Sequence, residues 1–553
     1  MPITPEPAPV DPGLRRLSLP AGVISLIVAA ILMLAYNGTF WSRGADIFAG
    51  HPGQFIVFGL AVYALLVSFV GVFSFRVIVR PALAALLIVS AATSYYMDNL
   101  GVMIDRDMIQ NVATTTFTES KHLVTFGIVA HVTLFGILPA AALFLVRVQR
   151  QRWLFALGVP VAMFLGGLAV SAALLMTNYA SYASVLRERK DFMGSFQPGA
   201  PLVATIRYAK MMNRSRDIVV APLGQEARKG PTYDAPRKPV LTIIVAGETA
   251  RGQNFALNGY GVPTTPELAA RDVINFTDVS SCGTATAVSL PCMFSRDGRA
   301  EYSFDRGLAN ENLLDVLTHA GFDVEWWDNN TGSKAVSARV PTRSFTNSEN
   351  AEFCPTGECI DGIFMQHLEA FVPTITRDTV LVLHQIGSHG PTYHLRYPEG
   401  FARFLPTCET AEFKDCTEEE IRNAYDNTIA YTDQVLAETI DFLMAQDGLA
   451  TSLLYVSDHG ESLGEGGLYL HGAPYFMAPE VQTKVPMILW MSESFRQQLA
   501  LDAACIGAGR DAALSHDNLF STVLGLLDVE TDVRDPDLDI ASPCRTRVQV
   551  TQG

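Results

Sequence analysis

Cysteine is absent from the first 281 residues of this 553-residue chain; all eight cysteines fall between Cys282 and Cys544. The sequence has no C-x₂-C pair, which excludes the usual zinc-thiolate spacing. An even count at short spacings fits disulfides in an oxidising compartment instead. Proximity pairs Cys282 with Cys292, Cys354 with Cys359 and Cys408 with Cys416, leaving Cys505 and Cys544 for each other. A basic surplus is also missing. The net charge is −16, and chains that bind a phosphate backbone carry a basic face, so nucleic acid is excluded as a partner. A small phosphate site built on metal ions is not excluded. Charged residues make up only 17% against 49% hydrophobic ones, and mean hydropathy is +0.21. Soluble domains of this size are less apolar, so the excess must be localised.

It sits in the N-terminal third. Apolar stretches cover roughly residues 20–41, 54–75, 78–97, 122–146 and 153–176, each near the ~20 residues a helix needs to cross the hydrocarbon core. The first is too long for a signal-peptide core and has no small-residue cleavage site, so it reads as an uncleaved anchor. Arg15 and Arg16, Arg76 and Arg80, and Arg147, Arg150 and Arg152 lie on one side of these spans. Arg43, Arg106 and Lys121 on the other side are diluted by Asp46, Asp98, Asp105, Asp107 and Glu119. This bias puts the N-terminus in the cytoplasm and everything after residue 176 outside it. Cysteine usage places the same region in an oxidising space, so two independent signals agree.

The expected organisation is a Pro-rich disordered cytoplasmic tail over 1–19, a five-helix transmembrane domain over 20–176, a bridging segment over 177–238 and an exported domain over 239–553. In the bridge, "NYASYASVLRERKDF" and "LVATIRYAKMMNRSRD" mix aromatics with Arg and Lys, as helices on a membrane surface do. The last part alternates short apolar runs, "VLTIIVAG", "FDVEWWD", "TVLVLHQIG", "SLLYVSD" and "VPMILWMS", with helical patterns such as "AYDNTIAYTDQVLAETIDFLMAQ". That rhythm predicts an α/β domain with a mostly parallel central sheet covered by helices on both faces.

Ligands of open α/β sheets bind beyond the carboxyl ends of the strands. Glu248 follows the first run; Asn329, Asn330 and then Lys334 follow the second; His384 and His389 come with the third; Asp458 and His459, then His471, follow the fourth. Carboxylate and imidazole are the nitrogen and oxygen donors of Zn²⁺ or Mn²⁺. In "SSCGTATAVSLPCMFS" the hydroxyls of Thr284, Thr286 and Ser289 stand near a helix start, where they cap the helix or serve as a nucleophile towards a phosphate. Spacing does not choose among the three.

Together "GETAR" (247–251), "SCGTATAVSLPCMFS", "DNNTGSK" (328–334), "HQIGSHGPTY" (384–393) and "SDHGESLGEGGLYLHG" (457–472) closely resemble the phosphoethanolamine transferases of lipid A. That family includes the mobile colistin-resistance enzymes and has a catalytic domain of the alkaline phosphatase/sulfatase superfamily. The resemblance covers nearly the whole chain. It implies Glu248, Thr286, Asp458 and His459 as the catalytic zinc set, with one or two Zn²⁺ ions and Thr286 as nucleophile. Asn330, Lys334, His389 and His471 would bind substrate phosphate, assist proton transfer or hold a second ion, and Glu301 matches an accessory metal position. "MIQNVATTTFTES" (108–120) resembles the segment that contacts the phosphoethanolamine head group, giving Asn111, Thr115 and Glu119. The implied enzyme is a monomer of the bacterial inner membrane with a periplasmic catalytic domain. It would move phosphoethanolamine from phosphatidylethanolamine to lipid A in lipopolysaccharide through a phosphothreonine, release diacylglycerol and confer polymyxin resistance. Another donor or acceptor (phosphoglycerol, core sugar, glucan), plain phosphate-ester hydrolysis, or a membrane-tethered metal-binding module are the alternatives.

Overall fold

The computed structural model describes residues 17–115, 121–345, 348, 350–355 and 357–546. They form two compact units: residues up to Asp98 with Phe126–Ala200, and Asn99–Thr125 with Pro201 onward.

In the first unit, helices over Pro52–Gly71, Val79–Leu100, Phe126–Leu145 and Trp153–Met176 are each long and apolar enough to cross a membrane. The expected first span is not one straight helix. Ala21–Ala35 and Gly38–Ile47 meet at a bend of 65°, so the count is four among the described residues, or five if the bent pair is one span. Asn37 accounts for the break. Its buried side chain donates to the Leu32 carbonyl at 2.9 Å and to the Gln197 carbonyl at 3.1 Å, and accepts the Gln197 amide at 2.7 Å. An Asn that offers the backbone such bonds competes with helix continuation. Small residues seat Pro52–Gly71 against Trp153–Met176: a Cβ on Gly167 would lie 2.6 Å from the Ala64 carbonyl oxygen, and Ser68 donates to the Phe164 carbonyl at 2.8 Å. Without a hydrophobic drive inside a bilayer, such close backbone approach and polar bonds supply the attraction. Of the expected tail over 1–19, residues 1–16 lie outside the described residues, whereas Ser18 and Leu19 pair in parallel with Arg147 and Val148.

The second unit is built on one eight-stranded sheet. Its strands are β1 (Val240–Gly247), β2 (Ile274–Ser280), β3 (Asp323–Asp328), β4 (Thr342–Ser344), β5 (Thr379–His384), β6 (Ala450–Ser457), β7 (Lys484–Met491) and β8 (Leu514–Ser515). They run in the order β8-β2-β7-β6-β1-β5-β3-β4. From β6 to β4 all neighbours are parallel, whereas β7 opposes both of its neighbours, β2 and β6. The sheet is therefore mostly parallel, as expected. Period-2 alternation divides its side chains between two cores. Ile244, Ala246, Trp326, Leu454 and Val456 face one; Ile243, Val245, Trp327, Leu453 and Tyr455 face the other. Helices Leu313–His319 and Asp517–Leu526 cover the first face, and Ile363–Phe371 and Glu418–Met444 the second. Thr417 and Glu420 close the start of the longest of these helices as a capping box, each bonding the other's backbone amide.

Two stretches expected outside this unit belong to it. From Pro201 the bridging segment joins it, and Arg228–Lys229 pairs antiparallel with Val529–Glu530. The helix Arg106–Thr114, capped by the Asp105 carboxylate on the Met108 amide at 2.9 Å, also packs here.

Candidate active site at the strand ends

Parallel pairing brings the carboxyl ends of β6, β1, β5 and β3 to one edge. Gly247 is registered with Ser457, Ala246 with His384, and Asp328 with His384. The next residues after β1 and β6, Glu248 and Asp458, therefore leave adjacent strands side by side, with His459 one residue on. These three offer ligand atoms within 4.8 Å of one another, and all are sealed from solvent.

Their bonds show which atoms remain available. Asp458 Oδ1 accepts the amides of Thr249 at 3.0 Å and His459 at 2.7 Å, while the buried Oδ2 has no hydrogen-bond partner among the described residues. His459 Nδ1 lies 2.9 Å from the Gly460 carbonyl, which can only accept. Nδ1 thus carries the proton and Nε2 turns its lone pair to the site, 3.4 Å from Asp458 Oδ2 and 3.5 Å from Glu248 Oε1. Burial and the neighbouring His471 push His459 down to about 3, so the ring is a neutral ligand. Burial alone would raise Glu248, but His459, His389 and His384 outweigh it and hold the carboxyl down to about 2. Burial, with Glu248 next to it, lifts Asp458 well above the usual carboxylate range. A dry pocket with two carboxylates, one imidazole lone pair and one orphan oxygen fits a divalent cation.

Thr286 completes the cluster. Its Oγ1 lies 3.1 Å from both Glu248 oxygens and 3.3 Å from His459 Nε2. It is the first residue of the helix Thr286–Met293, whose cap position, Ala285, offers no side-chain bond; Thr286 therefore does not cap this helix. The other two hydroxyls are committed elsewhere: Thr284 donates to the Ala473 carbonyl at 2.6 Å, and Ser289 to the Asp458 carbonyl. The disulfides form as proximity suggested, Cys505 with Cys544 included, and Cys282–Cys292 ties the loop before Thr286 to the far end of its helix.

Asn330 donates to Glu248 Oε2 at 2.7 Å and to the Gln385 carbonyl at 2.8 Å. The His471 ring centre lies 4.4 Å from that of His459 and 5.5 Å from that of His389. Lys334 has a left-handed backbone (φ 49°) and bonds Thr331 through Nζ. Glu301 is not drawn in: it is largely exposed and pairs with Arg306 at 3.7 Å. Asn111 and Thr115 sit at the end of helix Arg106–Thr114, which packs on the Thr286 helix and reaches the Ala287 carbonyl through the buried Gln110. Glu119 lies outside the described residues.

Further polar groups support the cluster. His384 Nδ1 is 3.0 Å from Asp328 Oδ2, and its Nε2 faces Glu248 Oε2 at 3.9 Å. Glu461 Oε2 lies 2.9 Å from His471 Nδ1, and its Oε1 accepts the Tyr393 hydroxyl at 2.8 Å. Asp361, wholly buried, accepts the Ile386 and Gly387 amides and the Asn329 side chain, each at 2.9 Å. Gly387 has to be glycine: at φ +50° a Cβ would come within 2.5 Å of the Glu248 carbonyl oxygen. Position at the end of a strand marks His384, the last residue of β5. Asp361 carries no such signal, because its site contacts come through the fold of a loop.

Residues 241–529 match the Sulfatase family, and residues 62–212 match the family described as Phosphoethanolamine transferase EptA/EptB. The chain is 39% identical over 478 residues to phosphoethanolamine transferase EptA of Escherichia coli (strain K12), covering 85% of this chain and 87% of that one. It is 35% identical over 534 residues to phosphatidylethanolamine transferase Mcr-1 of Escherichia coli, covering 94% and 96%. The solved integral membrane protein lipooligosaccharide phosphoethanolamine transferase A of Neisseria meningitidis superposes with a TM-score of 0.91 at 34% identity, covering 95% of this chain and 99% of that one. With two parallel carboxylate-bearing strand ends, a threonine set against them, and this likeness along nearly its full length, the chain belongs to the phosphoethanolamine transferase family.

Proposed function

We propose that the protein moves phosphoethanolamine from phosphatidylethanolamine to lipid A at the periplasmic face of the bacterial inner membrane, in two displacements through Thr286. The position of the Thr286 hydroxyl, 3.1 Å from both Glu248 oxygens and 3.3 Å from His459 Nε2, carries this reading. Glu248, Asp458, His459 and Thr286 would hold a zinc ion, which supplies positive charge that favours the threonine alkoxide.

The remaining steps fall to groups of the chain itself. In the first displacement Thr286 gives its hydroxyl proton up to solvent, the Oγ1–phosphorus bond forms and the bond from phosphorus to the glycerol oxygen breaks; that oxygen takes a proton and leaves as diacylglycerol. His471 is suited to deliver it, since Glu461 accepts from Nδ1 and leaves Nε2 to exchange a proton with substrate. Asn330 fixes the Glu248 carboxylate, and Lys334 supplies a cation for the equatorial phosphoryl oxygens. In the second displacement an oxygen of lipid A attacks the phosphothreonine and Thr286 regains its proton. Asn111, on the helix that packs against the Thr286 helix, and Thr115, which caps its end, would receive the head group; that packing supports the assignment. Donor, released diacylglycerol and acceptor are all lipids, which gives the apolar helices of the first unit a purpose.

Mass spectrometry of lipid A from cells with and without the protein tests the reading. A phosphoethanolamine mass increment that appears with wild type, disappears with Thr286→Ala and accompanies polymyxin resistance is expected. Unmodified lipid A in cells that make the folded protein refutes the acceptor; absence of diacylglycerol release from phosphatidylethanolamine refutes the donor.

A further inference from the structure

We infer that His516 is the positioning residue that sets the Thr286 helix at a fixed distance from the strand end bearing Asp458 and His459. The inference rests on the role proposed above for Thr286.

His516 lies far along the chain from both parts, immediately before the helix Asp517–Leu526, and is almost wholly buried. Its Nδ1 lies 3.1 Å from the Cys282 amide nitrogen, which can only donate. Nδ1 is therefore the bare nitrogen, and Nε2 carries the proton that it donates to the Ser457 carbonyl at 2.9 Å. One side of the ring thus holds the loop that leads into Thr286, and the opposite side holds the residue before Asp458. Ser289, one turn along the helix from Thr286, closes the triangle: its Oγ donates to the Asp458 carbonyl and stands 3.3 Å from the same His516 Nδ1. The Cys282–Cys292 disulfide makes that anchorage stiff, because the amide held by His516 belongs to the half-cystine that spans the helix. The His516 backbone amide also bonds the Ser280 carbonyl at 2.9 Å, so the ring is referenced to the sheet itself.

Burial pushes the ring down to about 4, so it stays neutral and the bond polarity does not change at working pH. Both ring nitrogens are taken up, Nδ1 by the Cys282 amide and Nε2 by the Ser457 carbonyl, and the effect of His516 on the reacting groups is transmitted through those two residues, with Ser289 packed beside them. Reactive geometry is intolerant of such displacement: a shift of about 1 Å can cost about a hundredfold in rate.

Two substitutions separate the two sides of the ring. His516→Asn places an oxygen near Nδ1 and keeps the acceptor for the Cys282 amide, but loses the donor to Ser457. His516→Gln places a nitrogen near Nε2 and keeps the donor, but loses the acceptor. The full-length protein in detergent, loaded with zinc, is assayed for diacylglycerol release from phosphatidylethanolamine and for the adduct on Thr286, alongside metal content and melting temperature. The expected result is kcat lowered about ten- to a hundredfold in both variants, with KM and zinc content unchanged. Unchanged kcat in either folded variant overturns the inference, as does a fall in kcat that follows loss of zinc or of folded protein. Should both His516 variants fail to fold, Ser289→Ala probes the same triangle, and a normal kcat there assigns His516 to folding alone and overturns the inference. The wild-type adduct is the separate control: if wild type forms none on Thr286, the reading of Thr286 fails first.

Discussion

Replacing Asp458 by asparagine should make the metal-free protein more stable and the metal-bound protein less so. The asparagine side chain can keep the two amide bonds that Oδ1 accepts, from Thr249 at 3.0 Å and His459 at 2.7 Å. Oδ2, buried and without a hydrogen-bond partner among the described residues, becomes an NH₂ group 3.4 Å from His459 Nε2, to whose lone pair it can donate. A buried polar atom left unpaired costs about 1–3 kcal/mol, and for a large domain each kcal/mol moves the melting temperature by about 2–4 °C. Chelator-treated Asp458→Asn should therefore melt several degrees above chelator-treated wild type. The gain should grow with pH. Burial and Glu248 raise the Asp458 carboxyl above its unfolded value, so the metal-free wild type loses stability as pH rises past that value, and asparagine removes the loss. With zinc the order reverses. Taking one anion from a buried charge cluster costs about 3–5 kcal/mol, so affinity should fall by roughly two to almost four orders of magnitude. Thermal melts with and without zinc, and competition against a chelating indicator, measure both. A variant that melts lower in both states, or binds zinc as tightly as wild type, refutes the assignment of Asp458 Oδ2 to a cation.

Thr286→Ala should keep its fold, since the residue is not the helix cap, yet form no adduct with phosphatidylethanolamine, while Thr286→Ser should retain some turnover; intact-protein mass spectrometry decides, and an adduct mapped to Thr284 or Ser289 moves the nucleophile. Breaking Cys505–Cys544, which spans 39 residues, should cost about 4 kcal/mol of loop-closure entropy, against about 2 for Cys354–Cys359 with its separation of 5, as read from denaturant midpoints of the serine variants. Equal shifts would contradict the loop-closure account. Glu358 accepts from Arg396 at 2.9 Å and faces His122 Nε2 at 3.1 Å. Burial would raise this carboxyl, but Arg396 and His122 hold it at about 2. A depressed carboxyl stabilises above its unfolded pKa of roughly 4.3 and loses that contribution as pH falls towards 2. Hydrogen exchange at residues 121–123 should accelerate over that window in wild type and not in Glu358→Gln; identical profiles would remove Glu358 from the docking of this segment.

Much of the fold could be read because the sheet interior admits few residue types. "VLTIIVAG" and "SLLYVS" are apolar at nearly every position since both faces of those strands are covered, and "DVEWWD" places Trp326 and Trp327 into opposite cores. Strand β2, "INFTDVS", escaped notice because it lies towards the sheet's edge and keeps Asn, Thr and Asp on a partly open face. The first span read as continuous because hydropathy counts Asn37 as one polar residue in a long run, whereas its bonds to Leu32 and Gln197 break the helix. The bridge read as one piece for a related reason: composition does not register that Arg228–Lys229 pairs with Val529–Glu530, a contact set by the fold of the distant C-terminus.

The site divides along the same physical line. Glu248, Asp458 and His459 could be found because each follows closely on its strand, and a carboxylate after a buried apolar run has few bland uses. That they form one cluster depends on strand order, which places β6 against β1 with Gly247 opposite Ser457. A strand between them would have held the two carboxylates about 10 Å apart, too far to share an ion, given the ~4.8 Å spacing of neighbouring strands. The same adjacency makes the pair unfavourable when empty, since Asp458 cannot ionise easily next to Glu248 in a dry site. The fold accepts that cost at its strand ends and uses buried groups, Asn330, Thr249 and the Gly460 carbonyl, to fix the ligands rather than to neutralise them. What remains unneutralised is Asp458 Oδ2, which has no hydrogen-bond partner among the described residues, while the Thr286 hydroxyl lies 3.1 Å from both oxygens of the neighbouring Glu248: one strand adjacency both crowds the negative charge and sets a hydroxyl against it.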